Sequence, residues 1–292
     1  MRRCGAADTN APMKNIARWA VAALTLLGAG STLAAEELQD CETCPVMVVI
    51  PSGSFERSDT LDGPAFSVTF EKQYAMAKFE LTLAEFKPFV AATGFADLGC
   101  ERFRTTGAIA DAEAGWQNPG FSVRDEHPVV CLSFEAANAF AAWLSEQTGE
   151  TYRLPSEAEW DYAARGGAGN GSDYLINGNL EFAQAKCATC FGGEVMGRED
   201  DLAPSSVGGM NLNPFGLGDV LGNAAEWTLD CKNASLAAAP TDGAAFLDGN
   251  CDQRITRGGT FHNEMQELAR FRFARAIGVG HNDIGIRLLR EL

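Results

Sequence analysis

The chain has 292 residues, and its 39 acidic against 23 basic side chains give a formal charge of -16. That charge repels phosphate backbones and anionic lipid heads, which excludes nucleic acid as a partner and argues against a membrane surface. About half of the residues are apolar, enough for one large packed core.

From Met13 the chain opens with Lys14 and Arg18, runs through an apolar stretch from Trp19 to Gly28, and leaves through the small-residue exit Thr32-Leu33-Ala34. A basic start, a short apolar run and a small-residue exit are the parts of a secretory signal peptide, and the run is too short for a permanent membrane helix. The expectation is a leader over residues 1–35 with the true start at Met13, and a single domain over 36–292 in the periplasm or secreted. No later segment is apolar enough to insert in a membrane once the leader is gone.

Nine cysteines are present, and one, Cys4, falls in the leader. The other eight, Cys41, Cys44, Cys100, Cys131, Cys187, Cys190, Cys231 and Cys251, form an even set, which in an oxidising compartment reads as structural disulfides. The two C-x-x-C pairs also have the spacing of half zinc sites. Zinc is the weaker reading, since such a site must escape oxidation before the metal binds.

Helix signals follow in order. Thr82 and Glu85 form a capping box ahead of Leu83, Phe86, Phe89 and Val90, with Gly94 as the stop. Ser133 caps a second helix through Ala136, Phe140, Trp143 and Leu144 to Gly149. Ser156 and Glu159 box a third, which ends at Gly166. Strand-like pieces are short: Val46–Ile50, Phe66–Phe70, Tyr74–Phe79, Val129–Ser133, Arg254–Arg257 and Ile284–Leu289. Between Gly167 and Arg254 the chain is rich in glycine, asparagine and aspartate and shows no sustained period, so disulfides or a bound cation are expected to fix it.

Four runs then carry a resemblance. They are Cys41-Glu-Thr-Cys44 leading to Phe55; His127 to Trp143 running into Arg153-Leu-Pro-Ser-Glu-Ala-Glu-Trp160; Asn213 to Asp219 running into Gly222-Asn-Ala-Ala-Glu-Trp227; and Arg257-Gly-Gly-Thr-Phe261 closing with Ile284-Gly-Ile-Arg287. In this order they resemble the formylglycine-generating enzymes, or sulfatase-modifying factors. The resemblance implies an α+β chain with little regular secondary structure, in that family's variant of the C-type lectin fold. Each run also has a plain reading: the proline, serine and glutamate of the second start a helix, and Trp160 packs in the core.

Family enzymes oxidise a substrate cysteine with copper held by two cysteines after the R-G-G-[ST]-[FY] run, because copper(I) demands soft thiolates. Asn263 and Leu268 stand at those positions, so no copper is expected there and formylglycine generation is not expected. A related branch holds iron with three histidines, and His127, His262 and His281 lack the helical domain that supplies those ligands. The exported branch that includes the periplasmic pyoverdine-maturation proteins fits better. It shares the leader and the cysteine pattern, it lacks the copper pair, and its proposed chemistry is oxidative tailoring of a peptide. His262 or Glu264 is then a candidate general base at the corresponding cleft, although an exposed polar loop explains both equally well. The alternative is a binding or assembly module that kept the lectin-like scaffold without catalysis. In both readings the partner is a peptide or protein.

The resemblance implies three further features. The disulfides pair as Cys41–Cys44, Cys100–Cys131, Cys187–Cys190 and Cys231–Cys251. Ala225 replaces a tryptophan that lines the family's cleft, which implies a changed pocket. A structural calcium is held by side chains of Asp219 and Glu226 and carbonyls of Gly222 and Ala224, hard oxygens of the kind calcium takes. The competing view is that Asp219 caps a turn and Glu226 pairs with an arginine.

Overall fold

A computed structural model describes residues 35–58, 65–96, 98–104, 107–167, 185–188, 190, 203–268 and 272–292. The expected leader lies outside these residues, apart from its last position. The described elements belong to one unit, Ala35–Leu292. In chain order they are β1 (Glu37–Leu38), β2 (Met47–Ile50), β3 (Gly53–Arg57), β4 (Phe66–Phe70), β5 (Tyr74–Ala77), α1 (Leu83–Thr93), β6 (Leu98–Arg104), β7 (Gly107–Gly115), α2 (Phe134–Thr148), β8 (Tyr152–Arg153), α3 (Glu157–Ala164), β9 (Ala225–Lys232), β10 (Asn250–Arg257), α4 (Met265–Leu268), β11 (Arg272–Ala276), β12 (Gly280–His281), β13 (Ile284–Gly285) and β14 (Leu289–Glu291).

The three longer helices form where their caps predict. Thr82 and Glu85 make the reciprocal box at α1, Ser156 and Glu159 make it at α3, and the Ser133 hydroxyl accepts from the Ala136 N–H at α2. Gly94 and Gly149 close α1 and α2 in the left-handed conformation that glycine adopts without a Cβ penalty. Phe86 and Phe89 of α1 pack on Phe140 of α2, with ring centroids 5.5 and 5.6 Å apart.

Four sheets surround this core, in strand orders β1-β2-β5-β14-β8, β11-β10-β9-β13, β12-β6-β7 and β3-β4. One short C-terminal segment enters three of them. β12 pairs parallel with β6, β13 pairs parallel with β9, and β14 pairs antiparallel with β5 and β8. This is why the expected single strand Ile284–Leu289 is divided into β13 and β14. β5 stops at Ala77 rather than Phe79, because the carbonyls of Ala77 and Lys78 both accept from the Arg287 guanidinium.

Two other expectations are corrected. Val129–Ser133 is not a strand: Cys131 sits at φ 63°, its N–H donates to the His281 carbonyl, and its sulfur bridges to Cys100. The irregular region before Arg254 contains β9, whose Ala225, Glu226, Trp227 and Thr228 are all buried. A strand buried on both faces has no alternation to reveal it.

All four expected disulfides are present. Cys231–Cys251 links the ends of β9 and β10 across a separation of 20 residues. Replacing both cysteines with alanine is expected to cost about 3 kcal/mol by loop-closure entropy. Urea denaturation checks this, and an unchanged midpoint would show that the bridge adds nothing to the sheet.

Candidate functional site

Helix α3 carries Glu157 and Asp161 into the interior, and arginines from distant segments converge on them. Arg57 Nη2 lies 2.9 Å from Glu157 Oε2, Arg272 Nε lies 2.8 Å from Glu157 Oε1, and Arg257 Nη2 lies 2.5 Å from Asp161 Oδ1. Burial alone would raise the Glu157 carboxyl, but the surrounding arginines bring it below its ordinary value. These pairs anchor Arg257, which begins the run of interest.

After Arg257 the chain turns sharply. A Cβ on Gly259, at φ 74°, would lie 2.6 Å from the Leu268 side chain, so only glycine lets the run fold back this closely. The Asn263 side-chain oxygen accepts from the Thr260 N–H at 2.9 Å and from its hydroxyl at 3.0 Å. Leu268 is buried with Ala185, Leu221 and the Cys187–Cys190 pair, and the Ala188 N–H donates to the Asn263 carbonyl at 2.9 Å. At the two positions where copper thiolates would stand, one side chain ties a turn and the other fills an apolar cluster.

Of the two candidate bases, His262 is drawn inward while Glu264 stays exposed before α4. His262 Nε2 lies 2.6 Å from Asp283 Oδ2. The imidazole stacks on Phe103 of β6 at 3.5 Å between centroids and 6° between planes. Burial would raise Asp283, yet the hydrogen bond and charge of His262, with His281 and Arg275 behind it, hold its carboxyl below the usual range. Burial pushes the His281 imidazole down, and its Nδ1 lies 3.4 Å from Glu101. His127 is remote from this pair in role: its carbonyl accepts from the Leu83 N–H at the start of α1. Sequence reasoning missed Asp283, whose partner stands 21 positions earlier.

Asp219, Gly222 and Ala224 of the expected calcium ligands lie on one irregular passage, with Asp219, Gly222 and Asn223 at φ 54°, 77° and 57°, and Glu226 follows at the start of β9. Asp219 accepts from the Gly208 N–H, and Glu226 is gripped by Arg287 at 2.8–3.0 Å and by the Trp160 N–H. Both competing contacts therefore form. The Glu226 carboxylate thus accepts four hydrogen bonds, two at each oxygen, from Arg287 Nε, Arg287 Nη2 and Trp160 Nε1. Glu80 enters the same cluster, accepting from Asn223 Nδ2 at 2.6 Å and the Ala224 N–H at 2.8 Å. Three buried carboxylates thus face one guanidinium. Burial, then Asp219 and Glu226, push Glu80 well up, and burial also raises Asp219. The excess of negative charge fits a cation. Among the described residues, no group of three or more His, Cys, Asp or Glu side chains is already arranged to hold a metal.

Ala225, expected on a cleft wall, is fully buried beside Ile284 in the main core. A groove of about 700 Å³ lies elsewhere, lined by Thr69, Lys72, Tyr74, Arg153, Glu159 and Leu292 among others, and reaches neither His262 nor Asp219.

Comparison with known proteins places this geometry. The model of the sulfatase-modifying factor enzyme 1-like domain matches residues 33–292. A formylglycine-generating enzyme of Mycobacterium tuberculosis is 30% identical over 62% of this chain and 73% of its own. A mouse protein named inactive C-alpha-formylglycine-generating enzyme 2 is 28% identical over 82% of this chain and 89% of its own. The structure of PvdO from Pseudomonas aeruginosa superposes with a TM-score of 0.74 at 31% identity, covering 88% of this chain and 98% of that one.

The raised carboxyls fix a pH dependence. A carboxyl whose folded pKa lies above its unfolded value keeps a proton that the unfolded chain releases, so stability falls as pH rises through that window. For Glu80 the window opens near its ordinary value of 4.5 and extends upward, and Asp230, pushed up to about 6, acts in the same sense. In chelator, urea midpoints are expected to fall as pH is raised above this value, and Glu80→Gln should flatten the fall. A midpoint that climbs over the same range would contradict the assignment.

Proposed function

The chain belongs to the sulfatase-modifying factor enzyme 1-like family, and from that premise we propose that it is an exported maturation factor. It acts as an oxidative or maturation factor on a peptide or protein without the copper centre of formylglycine generation, with His262 supplying proton transfer only and an external oxidant of the dioxygen class taking any electrons removed from the substrate. The observation that carries this reading is the His262–Asp283 pair, held on Phe103 beside the run where the family's thiolates would stand. A histidine so placed is suited to accept a proton from a bound substrate.

Copper is not part of the reading. Copper(I) selects thiolates, whereas Asn263 offers an amide already engaged with Thr260, and Leu268 offers no donor. The likeness to PvdO supports the assignment to the exported maturation branch. Four disulfides fit an oxidising compartment, as does the leader-like start. No helix among the described residues is long and apolar enough to cross a membrane.

Calcium completes the reading as a structural ion. The side chains of Asp219 and Glu226 and the carbonyls of Gly222 and Ala224 would hold it, and its charge would offset the excess of carboxylates around Arg287. An ion that binds only the folded state stabilises it by mass action, about 2.7 kcal/mol at a hundredfold excess over Kd.

Two experiments test the proposal. A strain lacking the gene is complemented with wild type or with His262→Ala, and its exported peptides are compared by mass spectrometry. Wild type should restore an oxidised product, and the variant should leave its unoxidised precursor. Full restoration by His262→Ala would instead favour the binding or assembly module. For calcium, the melting temperature should fall with chelator and recover with excess calcium, and Asp219→Ala should abolish the response. Indifference of the wild-type protein to both treatments would remove the ion from the account.

A further inference from the structure

We propose that Asp283 is a positioning residue that fixes His262 as its Nε2–H tautomer, leaving Nδ1 as the atom that takes a proton. The inference rests on the reading of His262 as the proton acceptor and assigns the atom through which it acts.

A neutral imidazole carries its proton on one nitrogen and a lone pair on the other, and an ionised carboxylate can only accept. Asp283 Oδ2 lies 2.6 Å from Nε2, so Nε2 bears the hydrogen in the neutral ring. Nδ1 has no hydrogen-bond partner among the described residues and is not a sealed interior atom. The lone pair that results is the one free to meet a ligand.

Ring and carboxylate are both held in place. The imidazole lies flat on Phe103, nearly parallel at 3.5 Å, with Phe261 edge-on at 5.3 Å. Turning the ring over about its Cβ–Cγ bond would drive its edge through the Phe103 plane, so the flip that puts Cε1 in place of Nε2 is opposed. Asp283 is buried, and its carbonyl accepts from the Ala225 N–H at 2.9 Å. On the preceding residue, Asn282 Oδ1 accepts from the Phe103 N–H at 2.8 Å and Nδ2 donates to the Pro119 carbonyl at 3.1 Å. The backbone carrying the carboxylate is therefore tied to the strand carrying Phe103, and acid, imidazole and aromatic ring form one rigid unit. Such support of a functional imidazole through its second nitrogen fixes both tautomer and orientation.

The remaining charged neighbours are consistent with an ionised Asp283. His281 and Arg275 both lower its pKa, while Glu101 faces His281.

The chain has three histidines, so imidazole nitrogen NMR can separate them. Long-range proton–nitrogen correlations on the uniformly labelled, substrate-free protein, recorded from neutral pH upward, should show one ring with Nε2 protonated and Nδ1 bare. That ring is assigned by its loss in His262→Ala. In Asp283→Asn, whose amide can donate as well as accept, the preference should collapse to a mixture of tautomers, while Asp283→Glu should retain it in part. The His127 signals report whether each variant is folded. A wild-type His262 protonated at Nδ1, or an Asp283→Asn spectrum unchanged from wild type, overturns the proposal. The tautomer is read without turnover, so failure here is distinct from failure of the complementation test.

Discussion

The ion pair between Glu226 and Arg287 is the constraint on which the rest of the structure depends. Arg287 is fully buried and donates to the carbonyls of Ala77, Lys78 and Gly218 as well as to Glu226, while Glu226 also accepts from Trp160. Three other stretches of chain, at Ala77–Lys78, Gly218 and Glu226, therefore meet at one guanidinium, and Trp160 joins them through Glu226. Removing one partner of such a pair strands the other charge in the interior, at a cost of about 3–5 kcal/mol. The same guanidinium engages the carbonyls of Ala77 and Lys78, where β5 stops. Among the described residues Glu80 and Asp219 share that guanidinium and have no cation of their own, which is what motivates the proposed calcium.

On the proposed reading, the family scaffold and the family chemistry part company in the run from Arg257 to Leu268. Arg257 and its two glycines keep their architectural duties, pairing with Asp161 and allowing the chain to fold back on itself. Asn263 ties a turn and Leu268 packs beside Cys187–Cys190, at the positions where the resemblance implies soft ligands. Proton transfer at His262 is the chemistry that the proposed function assigns to this run.

How much of this could be read in advance depended on whether the signal was local. Helices α1 and α3 were legible because Thr82 with Glu85 and Ser156 with Glu159 are neighbours in sequence as well as in space. β9 was hidden because both of its faces are buried. Asp283 carries no local mark of its role, since its meaning comes from a histidine on the far side of α4 and β11. The disulfide pairing was available only through family likeness. Asp219 and Glu226 were visible as candidate oxygen ligands, but Glu80, which sets the local charge excess, lies more than a hundred residues earlier.

The central claim is that this chain keeps the family's fold and an ion-stabilised interior while its chemistry has left copper behind. Metal analysis of the purified protein, with copper, iron and calcium measured together, tests that claim most directly. The account predicts calcium in equimolar amount and no stoichiometric copper; equimolar copper retained through purification would contradict it.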